Sequence, residues 1–536
     1  MKAAYKKLKF FLVGAFACAT LTSCLNDLDT FPIDQDVTTE EQVYTNPDNY
    51  IKVLAKCYSG LAVSGQQGPA GSPDISGFDE GAAQYLRAYW NLQELPTDEA
   101  VVGWSDPGLP ELNYSTWSSN SGFIYVMYSR IYLQVGFTNE FLRQTTEDKL
   151  NSRKITGPVR DQIPQFRDEA RFLRALSYWH AIDLFANVPF VTENDPVGAF
   201  LPKQIQRADL FNYLESELKS IEANGNIPVN AEYPRASMSA VQFLLAKLYL
   251  NAEVYTGRAR WTDAMTYVNK VIGAKGASTL APEYKYLFGG DNDKFVTNGN
   301  TGEIIFAISY DSQKTRTYGG TTYLTAGAYG GDINPVNYGF NSGAWSGIRT
   351  TPNLVDMFDK ADKRAMFFNT GNKENTNITL FTDGYSCVKY TNLLSTDWEN
   401  TQNRQLPWPD TDYPMFRMAD AYLMYAELFL RNGGGDQATA LNYVNELRVR
   451  AGLGAISEGQ LNLDYILKER CRELYWEGHR RQDLIRFDKF TGNAYLWSWK
   501  GGIINGKSTE QKYRVYPIPS QDIAANPNII QNEGYN

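Results

Sequence analysis

The spacing of apolar residues along the chain predicts several long amphipathic helices. In residues 166–185 apolar positions recur three to four residues apart, until Asn187 and Pro189 end the pattern. Such spacing places the apolar side chains on one face of a helix, which can then pack against a neighbouring helix. The same spacing predicts helices over residues 237–254 and 261–272. The chain is therefore expected to be mostly α-helical.

Two pairs of these helices carry the pattern of tetratricopeptide repeats. In the first pair, Leu245, Ala246 and Tyr249 match the first helix of such a repeat, and Ala264 and Val268 match the second. The second pair flanks a glycine turn at residues 432–435, and its matching positions are Tyr422, Tyr425, Ala426, Phe429, Ala440, Val444 and Leu447. Long loops separate the two pairs, so we expect tetratricopeptide-like helix-turn-helix repeats rather than a regular solenoid.

The stretch between residues 301 and 390 is rich in Gly, Tyr, Thr and Asn and interrupts the helical pattern. Within it, residues 303–310 and 383–390 predict strands, and residues 319–341 predict a loop. Loops held on a rigid scaffold often carry the binding function of a protein. The expected architecture is thus helical with a loop-rich, partly β face.

The first 23 residues predict a secretory signal peptide. Four lysines precede a short apolar run, which ends at Leu21-Thr22-Ser23-Cys24. A cleavage site that ends in Cys is typical of bacterial lipoproteins, in which Cys24 becomes lipidated, and more than one acyl chain gives stable anchoring. We therefore predict a signal peptide at residues 1–23, a lipidated tether at 24–37 and one domain over 38–536. A plain secreted protein is the alternative.

Charge and composition exclude several classes of function. The net charge is −9, and it becomes −13 once the signal peptide is removed. An acidic body argues against nucleic acid as a partner, because phosphate neutralisation requires a basic patch. No later stretch is apolar for long enough to predict a transmembrane helix. The 35 tyrosines and 11 tryptophans suit a wet binding surface, although a large helical core would use many of them.

The sequence offers little support for catalysis. Residues 467–487 are dense in charge, but opposite charges three or four residues apart on a helix usually form stabilising pairs. The only histidines are His180 and His479, both in predicted helices, and no GxSxG, P-loop or HExxH motif is present. Adjacent carboxylates such as Asp98 and Glu99 do not by themselves form the acid pair of a glycoside hydrolase. We therefore predict a protein that is not an enzyme and needs no catalytic cofactor, with a hydrolase as a less favoured alternative.

Short motifs spread over the chain resemble those of a known family. They are NDLD at 26–29, ELPTDE at 94–99, RFLRAL at 171–176, RELYWEG at 472–478, DLIRF at 483–487, YPIP at 516–519 and QNEGY at 531–535. With the lipoprotein signal, these motifs resemble the SusD/RagB family of Bacteroidetes outer-membrane lipoproteins. Further stretches at 71–74, 314–316, 318–320, 409–412 and 499–502 resemble its starch-binding branch. The resemblance implies an outer-membrane, surface-facing glycan binder that delivers an oligosaccharide to a SusC-like TonB-dependent transporter.

The same resemblance implies a binding site made of Arg87, Trp104, Tyr318 and Trp345. Sugar rings have flat C–H faces, so aromatic planes and a few hydrogen-bonding groups bind them. Both tryptophans are flanked by Gly and Ser, which favours a position on loops. The alternatives are that the tryptophans only pack their loops down, and that Arg87 pairs with Glu80 or Glu94 in the scaffold.

Two positions depart from the starch-binding pattern. Where that pattern has a second Trp and an Asn, this chain has Val102 and Pro107. Loss of an aromatic face and an amide costs roughly 1 kcal/mol or more each. The two departures predict either weaker binding or a different glycan. By the resemblance an α-glucan stays the leading ligand, with another glycan or a peptide as alternatives.

The resemblance further implies a structural calcium ion held by Asp293, Asp410 and Asp412. Calcium prefers oxygen ligands, which carboxylates on tight acidic turns supply. The turns at 290–293 and 409–412 have that composition, and a solvated loop is the alternative for each.

Overall fold

The computed structural model describes residues 40–274, 280–296, 302–369, 371–400 and 405–535. The predicted signal peptide, the lipidation site Cys24 and the tether lie outside these ranges. The described residues are mostly helical, with 47% in helices and 6% in strands. Within the described ranges no helix has the length and apolar character needed to cross a membrane.

The helices are spread along the whole described chain. They are α1 (Glu40–Thr45), α2 (Asn49–Ala62), α3 (Tyr85–Glu94), α4 (Pro110–Tyr114), α5 (Gly122–Gln144), α6 (Glu147–Ser152), α7 (Pro158–Leu184), α8 (Arg207–Asn224), α9 (Met238–Leu250), α10 (Ala252–Thr256), α11 (Trp261–Ile272), α12 (Gly320–Ala326), α13 (Pro352–Val355), α14 (Met418–Leu430), α15 (Gln437–Arg450), α16 (Leu463–Leu474), α17 (Arg480–Arg486) and α18 (Ser520–Ala525). Short 3₁₀ turns lie between them, among them Tyr284–Phe288, Asn292–Phe295 and Pro335–Tyr338.

The longer helices pack side by side in chain order, from α5 through α7, α8, α9, α11 and α14 to α15. This arrangement confirms the two predicted helix pairs, α9 with α11 and α14 with α15. Side-chain caps fix where these helices begin: Ser237 accepts a hydrogen bond from the Ala240 amide, and Asp436 accepts one from the Thr439 amide. One hydrophobic cluster lies beneath these helices and extends from Tyr44 to Ile529.

The strands are short and pair two by two in antiparallel ladders. They are β1 (Ala100–Val102) with β5 (Ile348–Thr350), β2 (Val188–Pro189) with β3 (Gln204–Ile205), β4 (Ile304–Ile308) with β8 (Tyr413–Arg417), and β6 (Phe367–Phe368) with β7 (Ser386–Cys387). The strand predicted over 303–310 is confirmed as β4. The strand predicted over 383–390 is reduced to the two residues of β7.

The prediction of a loop over residues 319–341 was wrong in part, because the segment contains helix α12. Every residue of this helix is buried, so its backbone must find hydrogen-bond partners within the protein. Thr325 adds one such bond, from its hydroxyl to the Thr321 carbonyl at 2.9 Å. Gly320 has a φ of +53° and lies against the Tyr310 ring, where a Cβ atom would collide. Burial therefore outweighs the loop-like composition.

The charge-dense segment over 467–487 forms buried ion pairs, as predicted for a structural role. Arg417 lies 2.7 Å from Glu473, 2.6 Å from Glu477 and 2.9 Å from Glu303, measured between nitrogen and oxygen atoms. Removal of one partner from such a buried network leaves an uncompensated charge and destabilises a protein by about 3–5 kcal/mol. His180 and His479 are also buried, and burial lowers the pKa of His180 to about 3.

Candidate functional site

The four residues predicted as a binding site lie together on one face of the protein. The indole N–H of Trp104 donates to the Trp345 carbonyl at 3.3 Å. The Tyr318 ring lies 6.1 Å from the Trp345 ring, with 54° between their planes. The Arg87 guanidinium lies 5.7 Å from the Trp104 ring. The resemblance thus selected residues that the fold brings into contact, and their role in binding remains a prediction.

The ladder between β1 and β5 places the two tryptophans side by side. Val102 is paired with Ile348, and just beyond this pair the Gly103 amide donates to the Gly347 carbonyl at 2.9 Å. Trp104 comes directly after Gly103, and Trp345 comes two residues before Gly347 on the opposite segment. The Trp104 ring lies directly over Gly347, at a point where a Cβ atom would collide with it. A glycine at 347 is therefore required for this ring position.

The loop that carries Trp345 is bound to the end of helix α12. The Trp345 amide donates to the Ala326 carbonyl at 2.8 Å, and the Gly347 amide donates to the Gly327 carbonyl at 2.9 Å. These backbone bonds hold the tryptophan in place without a ligand. Ring and loop are thus preorganised, which reduces the entropy that binding would cost.

Gln84 joins the segments that carry Arg87 and Tyr318. Its side-chain oxygen accepts from the Arg87 amide at 2.7 Å and from the Gly320 amide at 2.9 Å. Nearby, the Tyr318 amide donates to the Glu80 carboxylate at 2.8 Å. The N-terminus of α3 and the loop before α12 are therefore tied together by side chains.

Arg87 is not paired with the carboxylates proposed as its scaffold partners. Glu80 accepts hydrogen bonds from Ser64 and Tyr318, and Glu94 accepts one from the Gly478 amide. Arg87 is only 9% exposed, and within the described part of the chain its Nε atom is buried without a hydrogen-bond partner. Its guanidinium lies 4.3 Å from the Tyr323 ring of α12. The Arg87 guanidinium is thus held against aromatic rings and is not used in a scaffold ion pair.

The aromatic rings form an angled and accessible surface. Tyr318 is 39% exposed, and Trp104 and Trp345 are half-buried. Because their planes are tilted relative to one another, the rings form an angled surface rather than a flat one. Such a surface suits a curved chain of flat rings better than a single planar molecule.

A fourth aromatic ring, Trp408, extends this surface and was missed in the sequence. Its ring lies 5.0 Å from the Tyr318 ring, with 60° between the planes, and the residue is half-buried. A sequence signal was present, since Trp408 lies between Pro407 and Pro409. Proline fixes its own φ and restricts the residue before it, so this tryptophan is held on a stiff turn.

The two departures from the starch-binding pattern lie in different environments. Val102 belongs to β1, is 2% exposed, and donates its amide to the Asn113 side chain at 3.0 Å. Its side chain therefore does not contribute to the surface. Pro107 is exposed, in the loop after Trp104.

The three aspartates predicted to bind calcium are arranged differently from a ligand set. Both oxygens of Asp412 accept hydrogen bonds, from the Tyr310 amide and the Tyr233 hydroxyl. One Asp410 oxygen accepts from the Ser312 amide at 2.6 Å, and Asp293 is on the surface. Over the described ranges no three His, Cys, Asp or Glu side chains are grouped to hold a metal ion.

This arrangement does not fit calcium, which takes about six to eight oxygen ligands. Asp412 is 2% exposed, and burial raises the pKa of its carboxyl well above the usual range. Calcium binding stays a prediction of the resemblance alone.

Comparison with known proteins places the chain among relatives of the same architecture. The SusD family model matches residues 360–535. The chain is 37% identical to Starch-binding protein SusD of Bacteroides thetaiotaomicron, over 96% of each protein. It is also 23% identical to SusD-like protein P38 of Formosa agariphila, over 99% of each.

Solved structures show the same fold. Surface glycan-binding protein A from Bacteroides thetaiotaomicron, in complex with laminarihexaose, matches with a TM-score of 0.67 and 20% identity, over 90% of this chain and 99% of that one. A laminarin-binding SusD-like protein matches with a TM-score of 0.66 and 21% identity, over 91% and 99% of the two chains. With the extended identity to SusD, these matches show that the chain belongs to the SusD family.

Proposed function

We propose that this protein is a non-catalytic, cell-surface glycan-binding lipoprotein that captures an α-glucan such as a maltooligosaccharide. The angled aromatic surface of Trp104, Trp345 and Tyr318 is the observation that supports this proposal most directly. The identity with a starch-binding relative, over nearly the whole of both chains, favours an α-glucan as the ligand.

In this proposal each residue has a distinct role. The rings of Trp104, Trp345 and Tyr318 stack on successive sugar faces, and their tilt follows the curvature of a helical α-glucan. The Arg87 guanidinium, which lies 5.7 Å from the Trp104 ring, donates hydrogen bonds to sugar hydroxyls. Such charge-assisted bonds contribute about 1.5–3 kcal/mol when they replace bonds to water.

The carboxylate next to Tyr318 is bound to the scaffold and favours binding without catalysis. A glycoside hydrolase requires two carboxyl groups that flank the scissile bond, one as acid and one as base or nucleophile. Glu80, which lies next to Tyr318, uses one oxygen for the Tyr318 amide and the other for the Ser64 hydroxyl at 2.5 Å. A carboxylate bound in this way holds the loop in place and is not poised to transfer a proton to a ligand.

The proposal extends to the membrane and to a transport partner. Acylation of Cys24 would anchor the protein in the outer membrane, and a SusC-like TonB-dependent transporter would receive the oligosaccharide. A shallow surface of this kind is expected to bind in the micromolar to millimolar range, about −4 to −8 kcal/mol. Tethering beside the transporter would raise the effective concentration and compensate for that weak affinity.

Calorimetric titration of the mature protein with a panel of oligosaccharides tests this function. We expect maltoheptaose to bind, and β-glucan and fructan oligosaccharides to bind more weakly or not at all. Trp345→Ala is expected to weaken maltoheptaose binding at least tenfold, about 1.4 kcal/mol. A preference for another glycan would change the ligand but keep the site, whereas unchanged binding by Trp345→Ala would refute the site.

A matched control comes from Trp398, another half-buried loop tryptophan. Its ring packs near Tyr286, 5.9 Å away, rather than on the proposed surface. Trp398→Ala should leave glycan affinity unchanged. New reducing ends after incubation of the protein with soluble starch would show catalysis and contradict the binder-only proposal.

A further inference from the structure

Trp408 continues the aromatic surface beyond Tyr318. The contacts run from Trp104 to Trp345, from Trp345 to Tyr318 and from Tyr318 to Trp408. We propose that Trp408 forms an additional sugar-binding position, so that this site takes longer oligosaccharides than the other three rings could hold. The inference rests on the glycan-binding function proposed above and adds that the site prefers longer oligosaccharides to shorter ones.

The backbone around Trp408 is held in place before any ligand arrives. The Leu406 amide donates to the Gly339 carbonyl, and the Asn341 amide donates to the Leu406 carbonyl, both at 3.2 Å. On the other side, the buried Asn392 side chain accepts from the Asp410 amide at 2.9 Å. With a proline on each side, Trp408 loses little conformational freedom when a sugar stacks on it.

The acidic turn after Trp408 sets the distance between its ring and that of Tyr318. Asp410 accepts a hydrogen bond from the Ser312 amide, and Asp412 accepts one from the Tyr310 amide, each at 2.6 Å. Both amides belong to the segment that leads from β4 to Tyr318. These aspartates are therefore positioning residues that join the two loops.

This geometry has a consequence for ligand length. The Trp345 and Tyr318 rings are 6.1 Å apart and the Tyr318 and Trp408 rings 5.0 Å apart, steps comparable to one sugar unit, so each further ring can engage a further part of the ligand. A short ligand bound over Trp104 and Trp345 would not reach Trp408. A long ligand would reach it and would gain one more aromatic contact.

Titration of wild type and variants with maltotriose and maltoheptaose tests this inference. For Trp408→Ala we expect about tenfold weaker binding of maltoheptaose, the size of one lost aromatic contact, and less than about twofold for maltotriose. Trp408→Phe retains a flat ring and should recover most of the affinity for maltoheptaose. Trp398→Ala should bind both ligands like the wild type.

The outcomes separate this inference from the proposed function. An equal effect of Trp408→Ala on both ligands, or no effect on either, would overturn the inference while Trp345→Ala still weakens binding. No effect of Trp345→Ala would overturn the proposed site itself. If the wild type binds only a β-glucan, the same comparison is made with laminaribiose and laminarihexaose, and the same length dependence is expected. No wild-type binding to either series would overturn both.

Discussion

The contact between Gly347 and the Trp104 ring gives a sharp test of how the surface is built. A Cβ atom on residue 347 would overlap with three carbon atoms of the indole, so Gly347→Ala must displace the ring or the loop. The displaced ring would lose its hydrogen bond to the Trp345 carbonyl and its alignment with the other rings. We therefore expect Gly347→Ala to weaken glycan binding clearly, although it adds only one methyl group.

The magnitude follows from the contacts involved. The loss of one aromatic contact with a sugar should weaken binding by about 1.4 kcal/mol, or about tenfold. The hydrogen bond from Trp104 to Trp345 is lost from the free and the bound protein alike, so its contribution of about 1 kcal/mol should appear as lower stability. The assay is calorimetric titration with maltoheptaose, with the melting temperature recorded for each variant.

Gly343→Ala is the matched control in the same loop. Gly343 has a φ of +92°, so an alanine there strains the backbone, but no atom lies within 4 Å of the added Cβ. This variant should lose about 1–2 kcal/mol of stability and little or no affinity. If Gly347→Ala binds maltoheptaose as tightly as the wild type, the surface is not organised as described.

Two other predictions concern stability and location. Burial raises the pKa of Glu94 well above its usual range and that of Glu99 to about 7. The pKa values of both carboxyl groups in the folded protein lie above the unfolded value of 4.5. The contribution of these groups to the free energy of unfolding is therefore fully present below pH 4.5 and is lost as the pH rises through 7. The melting temperature of the wild type should therefore fall between pH 5 and 9, and that of Glu94→Gln should fall less steeply. If the two melting temperatures change in parallel with pH, ionisation of Glu94 is not the cause. Cys24→Ala should move the protein from the membrane pellet to the soluble fraction, and retention in the pellet would rule out lipidation of Cys24 as the anchor.

Much of the helical fold could be predicted from periodicity because burial acts on whole faces of helices. The pairs α9 with α11 and α14 with α15 form where apolar residues recur at helical spacing. The same logic failed for α12, whose Gly- and Thr-rich sequence has no apolar periodicity and is helical because it is enclosed on all sides. Local composition does not report that kind of enclosure.

The candidate site shows a similar division. Arg87, Trp104, Tyr318 and Trp345 were selected by resemblance, and periodicity alone would not have joined residues so far apart in the chain. Their proximity depends on the register between β1 and β5 and on the hydrogen bonds of Gln84. Such contacts between distant segments are not encoded in any short stretch of sequence.

Trp408 and the acidic turn illustrate the remaining gap. The composition of residues 409–412 suggested metal ligands, whereas the Asp410 and Asp412 side chains accept backbone hydrogen bonds from the segment before Tyr318. A carboxylate can bind a metal ion or accept hydrogen bonds from backbone amides, and the fold determines which of these partners lies near it. The sequence did contain a signal for Trp408, because a tryptophan between two prolines lies on a stiff turn that can hold its ring at the surface.

The proposed function also gives the weak surface a physical context. Rings held by backbone hydrogen bonds need little reordering when a ligand binds, so association and release can both be fast. Fast release matters for a protein that passes its ligand on. Anchoring beside a transporter would then determine how much captured glycan is delivered.

A crystal structure of the mature protein with maltoheptaose tests the central proposal most directly. The glycan is expected to curve over Trp104, Trp345 and Tyr318, with a sugar hydroxyl within hydrogen-bonding distance of Arg87 and the far end of the chain on Trp408. A glycan bound elsewhere on the protein, with these rings free of sugar, would contradict it.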